Sequence, residues 1–198
     1  MLISATEHIT ESFHLHLDCA MQSMEMLAPA IAEAAELMTQ SLLGDGKILC
    51  CGEGSAGLLA QHFAASLLNR CQRERPALPA LALNSDAATL TAIASDNSFN
   101  EIFARQIRAL AQPQDVLLLI IPSSGSGTAL RALQSAHDRN LQVIVIGPEE
   151  DGDLHALLLP EDMALRIRGD RTRFIEVALI AVNCLCETIE LQLFGAEE

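Results

Sequence analysis

Two segments of the sequence share one pattern, in which a short apolar run ends in a turn of glycine and serine and is followed by helical periodicity. Residues 47–51 lead into Gly52-Glu53-Gly54-Ser55, and the unbroken apolar run at 116–121 leads into a second turn at 122–128. A run that is apolar at every position is typical of a strand buried on both faces of a parallel sheet. The pattern therefore predicts strand, loop and helix units of an α/β fold.

Other apolar runs extend this pattern along the chain. Further strands are predicted at 78–83, 142–146 and 163–167, with helices between them and a long closing helix at 172–194. Parallel neighbours need crossover connections long enough for a helix, and the segments between the runs have that length. We therefore expect an open parallel sheet that is covered by helices on both faces.

The segment ahead of the first strand is helical throughout. Residues 3–43 predict two helices, with Pro29 near the start of the second, where a missing N–H costs little. We expect one domain over residues 1–198, with an N-terminal helical extension at 1–45 and an α/β core at 46–198. The extension contains no strand that would cover its apolar face, so we expect that face to be used in oligomerisation.

Composition narrows the class of partner. The formal net charge is −14, with 12 Lys plus Arg against 26 Asp plus Glu, which disfavours direct nucleic-acid binding. The sequence lacks a membrane-length apolar run and a signal-peptide layout, so we expect a cytoplasmic protein without a membrane partner. The six cysteines lie mostly in apolar segments and lack metal-binding spacing, so we expect reduced core thiols.

The two loops are candidate anion sites. Ligands of open parallel sheets bind beyond the carboxyl ends of the strands, where both loops fall. Amides in the first turn of a helix and serine hydroxyls suit phosphate oxygens. Glycine-rich turns also serve plain chain reversal, and that alternative stays open. The candidate binding residues are Gly54, Ser55, Ser123, Ser124 and Ser126.

With both loops in view, the chain resembles the sugar isomerase (SIS) domain family, and within it the branch that contains phosphoheptose isomerase and the DnaA initiator-associating protein DiaA. The resemblance runs nearly end to end and includes the stretches at 60–65, 91–96 and 182–186. It implies a five-stranded parallel sheet in a flavodoxin-like three-layer arrangement, a homotetramer, and sites shared between subunits. It also adds Ser95 and Asp96 to the candidate phosphate-binding residues.

Most catalytic positions of the isomerases in this branch are changed. Their His-x-x-x-Glu pattern corresponds to His62 and Ser66, and their glutamine and histidine on the last helix correspond to Ile175 and Asn183. An aldose–ketose interchange needs a base, and a serine is not a comparable one. We therefore expect no intact catalytic set and no cofactor. Zinc would be implied only if the chain is an isomerase, with His62 as the remaining candidate ligand.

The loops also depart from the family pattern. Glu53 replaces an asparagine and puts a carboxylate where an anion would approach. In the second loop the family's Ser-Thr-Ser-Gly-Asn-Ser corresponds to residues 121–126, which keeps hydroxyls at Ser123 and Ser126 and offers Ser124 as a substitute. We therefore expect a degenerate sugar-phosphate pocket.

These changes favour a non-catalytic homotetramer that resembles DiaA and binds the replication initiator DnaA. One alternative is a phosphoheptose isomerase that converts sedoheptulose 7-phosphate to heptose 7-phosphate, and another is an inactive protein that assembles with an active homologue. Near the end of the chain, Leu193 and Phe194 resemble a contact pair of this branch. They are our candidates for a partner or oligomer contact, with plain packing as the alternative.

Overall fold

The computed structural model describes residues 4–196. The helices are α1 (Ala5–Leu43), α2 (Ser55–Leu68), α3 (Ala87–Asp96), α4 (Ala104–Leu110), α5 (Gly127–Asp138), α6 (Gly152–His155) and α7 (Arg171–Phe194). The strands are β1 (Ile48–Gly52), β2 (Ala80–Ala82), β3 (Val116–Ile120), β4 (Gln142–Pro148) and β5 (Met163–Ile167). A 3₁₀ turn at Phe99–Glu101 precedes α4.

The five strands form one parallel sheet in the order β2-β1-β3-β4-β5. Ile48 of β1 pairs with Ala80 on one side and with Val116 on the other. The strand order reverses at β1, so the crossovers that leave β1 and β3 depart to opposite sides and open a crevice at their carboxyl ends. This confirms the predicted five-stranded α/β fold with an N-terminal helical segment.

The sheet separates two apolar layers. Along β1, Ile48 and Cys50 face a core built with α1, α2 and α7, while Leu49 and Cys51 face a second core built with α3, α4 and α5. Side chains of a strand alternate between its two faces, and every β1 residue is buried. Burial on both faces is the reason that β1 and β3 show continuous apolar runs in the sequence.

The N-terminal segment forms one helix, so the prediction of two was wrong. α1 spans 39 residues and continues through Pro29. The proline lies on the exposed side, so its missing N–H removes a hydrogen bond that faces solvent. On the other side Leu27 and Ile31 are buried in the α1–α2–α7 core. Tertiary packing of this face holds the helix together across the proline.

The first turns of α1 carry large exposed apolar side chains. Phe13 is 67% exposed, Leu17 is 59% exposed and Met21 is 68% exposed. The sequence led us to expect an exposed apolar face here, and its use in oligomerisation stays a prediction.

Two predicted segments have a different local structure. The run of acidic residues at 149–153 predicts a solvated loop, but Asp151 is 3% exposed and caps α6 by accepting a hydrogen bond from the Leu154 amide at 3.3 Å. The apolar spacing at 100–110 predicts one helix, but this segment is divided, because Ser98 accepts a hydrogen bond from the Asn100 amide at 3.2 Å and begins the separate 3₁₀ turn. A polar N-cap of this kind starts a new turn even within a segment whose apolar residues recur at helical spacing.

All six cysteines are free thiols. Burial raises the pKa of the Cys50 thiol to about 12 and raises that of Cys51 well above its usual value. These two thiols therefore stay protonated and are poor nucleophiles, as expected of core residues. Among residues 4–196, no helix is long and apolar enough to cross a membrane.

Candidate functional site

Two loops meet where the strand order reverses. The first follows β1 and contains Glu53 and Gly54, and the second follows β3 and ends at Ser126. The Ser126 hydroxyl donates a hydrogen bond of 2.9 Å to the Glu53 carboxylate. This contact joins the two helix starts across the crevice, where the sequence predicted an anion site.

The first loop is fixed through the backbone of Gly52. The side-chain amide of Asn84 accepts a hydrogen bond from the Gly52 amide at 3.1 Å and donates one to the Gly52 carbonyl at 2.8 Å. A methyl group at Gly57 would lie 2.8 Å from Asn84 Nδ2, so the glycine is needed for this close approach. Asn84 therefore positions the turn that precedes α2, a role that the sequence did not reveal.

The second loop is fixed by helix capping. Ser126 is the N-cap of α5 and accepts a hydrogen bond from the Ala129 amide at 3.1 Å. Its hydroxyl also lies 2.9 Å from the Thr128 hydroxyl. Earlier in the loop, Ser124 donates to the Glu150 carbonyl at 2.7 Å. The hydroxyls of Ser124 and Ser126 are thus already engaged within the chain.

The predicted phosphate-binding residues fall into two groups. Gly54, Ser55 and Ser123 lie in the loops, and within residues 4–196 neither serine hydroxyl makes a hydrogen bond. Ser95 and Asp96 are exposed at the end of α3, and neither side chain bonds to a loop in the described part of the chain. Within the described residues the two loops are joined by the Glu53–Ser126 hydrogen bond, and the side chains of Ser95 and Asp96 form no hydrogen bond to either loop.

Arg171 is a site residue that the sequence patterns missed. It is the first residue of α7 and is exposed. A methyl group at Gly54 would lie 3.4 Å from Arg171 Nη2. The guanidinium therefore lies over the first loop at Gly54. No local motif marks it, because its proximity to Gly54 depends on the crossover from β5.

The positions that correspond to isomerase catalytic residues lie on a shared face of α2 and α7, here called the α2–α7 face and defined by His62, Ser66, Ile175 and Asn183. His62 Nε2 is 2.8 Å from Asn183 Oδ1. An amide oxygen only accepts, so Nε2 is the donor in this contact, and in the neutral tautomer that this requires Nδ1 is an acceptor. The structure thus joins two of the four positions directly.

Ser66 and Ile175 take packing roles. Ser66 lies near Cys186, and burial raises the pKa of the Cys186 thiol. Ile175 is half-buried and packs against the α1–α2–α7 core. Neither supplies the carboxylate or amide of the isomerase pattern.

The donor set of this face does not fit a zinc ion. Zinc sites in proteins use three or four nitrogen, sulfur or oxygen ligands. The described residues contain no group of three or more His, Cys, Asp or Glu side chains placed to hold a metal ion. His62 alone has the chemistry of a zinc ligand among the four positions, and no step of the reaction is assigned to a metal.

Leu193 and Phe194 pack within their own chain. Both are half-buried against the α1–α2–α7 core. The Arg73 guanidinium carbon lies 5.5 Å from the Phe194 ring centroid, and Arg73 donates a hydrogen bond of 2.8 Å to the Phe194 carbonyl. A partner or oligomer contact of this pair stays a prediction.

Comparisons with known proteins place these features in a family. The family model described as "SIS domain" matches residues 16–147. The phosphoheptose isomerase of Chromohalobacter salexigens is 46% identical over 94% of this chain and 95% of its own length. That of Alkalilimnicola ehrlichii is 44% identical over 96% of this chain and 97% of its own length.

Two solved structures of phosphoheptose isomerases are also similar to this chain. A phosphoheptose isomerase from Francisella tularensis has a TM-score of 0.91 and 38% identity, covering 94% of this chain and 98% of its own. Phosphoheptose isomerase GmhA from Neisseria gonorrhoeae has a TM-score of 0.88 and 32% identity, covering 94% of this chain and 99% of its own.

These comparisons correct two predictions. A non-catalytic regulator that resembles DiaA and binds DnaA was the favoured function, and it is contradicted because relatives at 46% and 44% identity are named as phosphoheptose isomerases. The prediction that the chain is not an enzyme is contradicted by the same finding. The error came from treating the changes at Ser66, Ile175 and Asn183 as decisive against the whole-chain similarity.

Proposed function

Since the chain belongs to the SIS domain family, we propose that it is a sugar-phosphate isomerase of the kind for which its relatives are named, converting sedoheptulose 7-phosphate to an aldose heptose 7-phosphate. The observation that carries this proposal is the 46% identity over 94% of this chain to a relative named phosphoheptose isomerase. In the structure, two loops that each lead into a helix meet at the strand-order reversal, where Ser126 bonds Glu53 at 2.9 Å. Helix-start amides and adjacent hydroxyls suit a phosphate group.

The α2–α7 face is the proposed place for the sugar carbons. His62 lies seven residues after Ser55 on α2, which is about 10 Å along the helix axis. A seven-carbon sugar with its phosphate at the far end spans a comparable length. A phosphate at the loops would therefore direct the carbonyl end toward His62.

His62 is the proposed proton-transfer group. In an aldose–ketose interchange a base removes a proton from the carbon next to the carbonyl, and a proton returns at the neighbouring carbon, so nothing is gained or lost overall. The bond to Asn183 at 2.8 Å fixes the ring and leaves Nδ1 as the acceptor. We assign no step to zinc, since only His62 of the four face residues is a suitable ligand.

We also propose a homotetramer in the cytoplasm. The exposed apolar side chains of Phe13, Leu17 and Met21 on α1 support assembly, because apolar surface of this kind is costly in water. Free thiols at all six cysteines suit a reducing compartment.

The test is turnover of sedoheptulose 7-phosphate by the purified chain and by His62→Gln. We expect measurable isomerisation by the unmodified chain and a loss in kcat of roughly 10²- to 10⁴-fold in the variant, which is the contribution of general acid–base groups. His14→Gln removes an exposed histidine of α1 and serves as the matched control with unchanged kcat. Calorimetric titration with the same sugar should show that His62→Gln still binds it.

A second variant makes the outcome decisive. Ser66→Glu, Ile175→Gln and Asn183→His together install the isomerase pattern on the α2–α7 face. Turnover by this triple variant with none by the unmodified chain would refute the proposed function, because the assay and fold would then be sound and the native face inactive.

A further inference from the structure

One side of α5 carries a line of contacts that ends at the second loop. Gly127, Arg131 and Ser135 follow one another at intervals of four residues, so they lie on the same side of the helix. Each of them contacts a side chain from the 3₁₀ turn or from α4. We call this set of contacts the α5 seam, and its members are Asn100, Glu101, Arg108, Gly127, Arg131 and Ser135.

Ion pairs hold the part of the seam that is remote from the loop. The Glu101 carboxylate accepts a hydrogen bond from Arg131 Nε at 2.7 Å and another from Arg108 Nη2 at 2.5 Å. Arg108 also donates a hydrogen bond of 2.8 Å to the Ser135 hydroxyl. Because Glu101 bonds α4 and α5 at the same time, the 3₁₀ turn is fixed against the side of α5.

The end of the seam nearest the loop is the contact between Asn100 and Gly127. A methyl group at Gly127 would lie 2.7 Å from Asn100 Nδ2 and 2.8 Å from both Cγ and Oδ1. The side-chain amide therefore lies face-on against the α-carbon of Gly127, which is the first residue of α5. The Asn100 backbone amide donates to the Ser98 hydroxyl at 3.2 Å, which fixes the turn that presents this side chain.

The second loop is rich in glycine and is held from both sides. Gly125 has a φ of +75°, and glycine leaves a backbone with more accessible conformations than other residues do. On one side of Gly125, Ser124 donates to the Glu150 carbonyl at 2.7 Å. On the other side, Asn100 packs against Gly127. The conformation of the loop therefore depends on contacts with neighbouring segments.

We propose that Asn100 is a positioning residue of the candidate site, which acts through Gly127 to hold the second loop in the conformation that receives a phosphorylated sugar. It contacts the backbone and not the reacting carbons. A loop that is fixed before the ligand arrives loses less conformational entropy on binding, so the contact lowers KM and leaves kcat unchanged. The identity of the ligand rests on the proposed function, whereas the packing of Asn100 on Gly127 does not.

Hydrogen exchange of the free protein, followed by NMR, tests whether Asn100 holds the loop. Asn100→Ala should speed exchange of the amides at 123–128 by roughly threefold to tenfold, because local opening becomes easier, and should leave those at 53–57 unchanged. Asn69→Ala, at an exposed asparagine that follows α2, is the matched control. It should leave exchange at 123–128 as in the unmodified chain.

Gly127→Ala tests the same contact from the other side. Its methyl group would displace the Asn100 amide, and φ at Gly127 is outside the left-handed region, so alanine is compatible with the backbone. We expect faster exchange at 123–128, as in Asn100→Ala. In the double variant the methyl group has room, so the two effects should not add. Additive effects would contradict a direct coupling of the two residues.

Binding and turnover test whether the held loop serves the site. Calorimetric titration with sedoheptulose 7-phosphate should show an affinity that is weaker by roughly threefold to tenfold in Asn100→Ala. Turnover should show KM raised by a similar factor and kcat changed by less than about twofold. A residue with a merely structural role would lower the free energy of unfolding without this split between KM and kcat.

The two kinds of measurement separate this assignment from the proposed function. Unchanged exchange at 123–128 in Asn100→Ala would overturn the assignment, even if the chain is an active isomerase. Faster exchange with unchanged sugar affinity would also overturn it, because the conformation of the loop would then not matter for the ligand. Faster exchange together with weaker binding supports it, even if the chain binds the sugar without isomerising it and the proposed function fails. Absence of sugar binding by the unmodified chain would refute both.

Discussion

The two loops and the α2–α7 face belong to one candidate site, but their residues are held in different ways. The first loop is held by its backbone, since Asn84 bonds both the amide and the carbonyl of Gly52. The α2–α7 face is held by side chains, through the bond between His62 and Asn183. Contacts to the backbone do not depend on the side chains of the loop, so the loop architecture belongs to the fold, whereas the reaction that we propose depends on the face residues.

Beneath the α2–α7 face lies a buried ion pair that supports it. The side chains of Arg75 and Glu190 are 1% and 4% exposed, and their charged atoms are 2.7 Å apart. Arg75 also donates to the carbonyls of Ser66 and Leu67 at the end of α2, each at 2.7 Å. Glu190 belongs to α7, so the pair fixes the two helices that carry His62 and Asn183.

The largest expected loss of stability is therefore at the Arg75–Glu190 pair. Arg75→Met should lower the free energy of unfolding by about 3–5 kcal/mol, because it leaves Glu190 buried without its partner. Urea denaturation measures the change. Arg70→Met, at the exposed pair with Glu74, is the matched control and should cost less than about 1 kcal/mol. A similar cost for both variants would show that the buried pair does not hold the helices together.

The same pair predicts a dependence on pH. Burial by itself raises the pKa of Glu190, but hydrogen bonds from the Cys71 amide and Arg75 bring that pKa below its ordinary value. The stability from Glu190 is therefore present above its unfolded pKa of about 4.3 and is lost as pH falls through the lower folded pKa. As pH falls from the unfolded pKa of Glu190 through its folded pKa, the free energy of unfolding should decrease less in Arg75→Met than in the unmodified chain.

A smaller effect is expected at the first loop. Asn84→Ala should lower the free energy of unfolding by about 1–3 kcal/mol, because the Gly52 amide and carbonyl lose their partners. It should also weaken binding of sedoheptulose 7-phosphate, which calorimetry would detect. Ser85→Ala, an exposed neighbour, is the control. Unchanged ligand affinity in Asn84→Ala would show that ligand binding does not depend on the conformation of the first loop.

The smallest effect is expected at the second loop. Ser126→Ala removes the N-cap of α5 and should cost about 0.5–2 kcal/mol in urea denaturation. Ser123→Ala, at an exposed serine of the same loop, should leave stability unchanged. If the two variants unfold alike, capping at Ser126 does not stabilise this loop.

The sequence predicted the features that depend on local pattern. β5 was predicted at 163–167 and is found at Met163–Ile167. β3 was predicted within one residue, because a strand buried on both faces is apolar at every position. The loops followed from the strand ends, since a parallel sheet puts its carboxyl ends on one edge.

Contacts between distant residues were not predictable in this way. Asn84 and Gly52 are 32 residues apart in the sequence, and the α7 residue Arg171 reaches the first loop through the fold. The continuity of α1 through Pro29 depends on packing against the core and not on helix propensity. Such features need the tertiary arrangement, which no period or motif encodes.

The central claim is that the α2–α7 face moves a proton in a phosphorylated sugar. The most direct measurement is an NMR time course of sedoheptulose 7-phosphate with the unmodified chain in deuterium oxide. We predict that an aldose heptose 7-phosphate accumulates with deuterium at the carbon next to its carbonyl, and that His62→Gln slows both signals by roughly 10²- to 10⁴-fold. Binding of the sugar with neither an aldose product nor deuterium incorporation would contradict the claim.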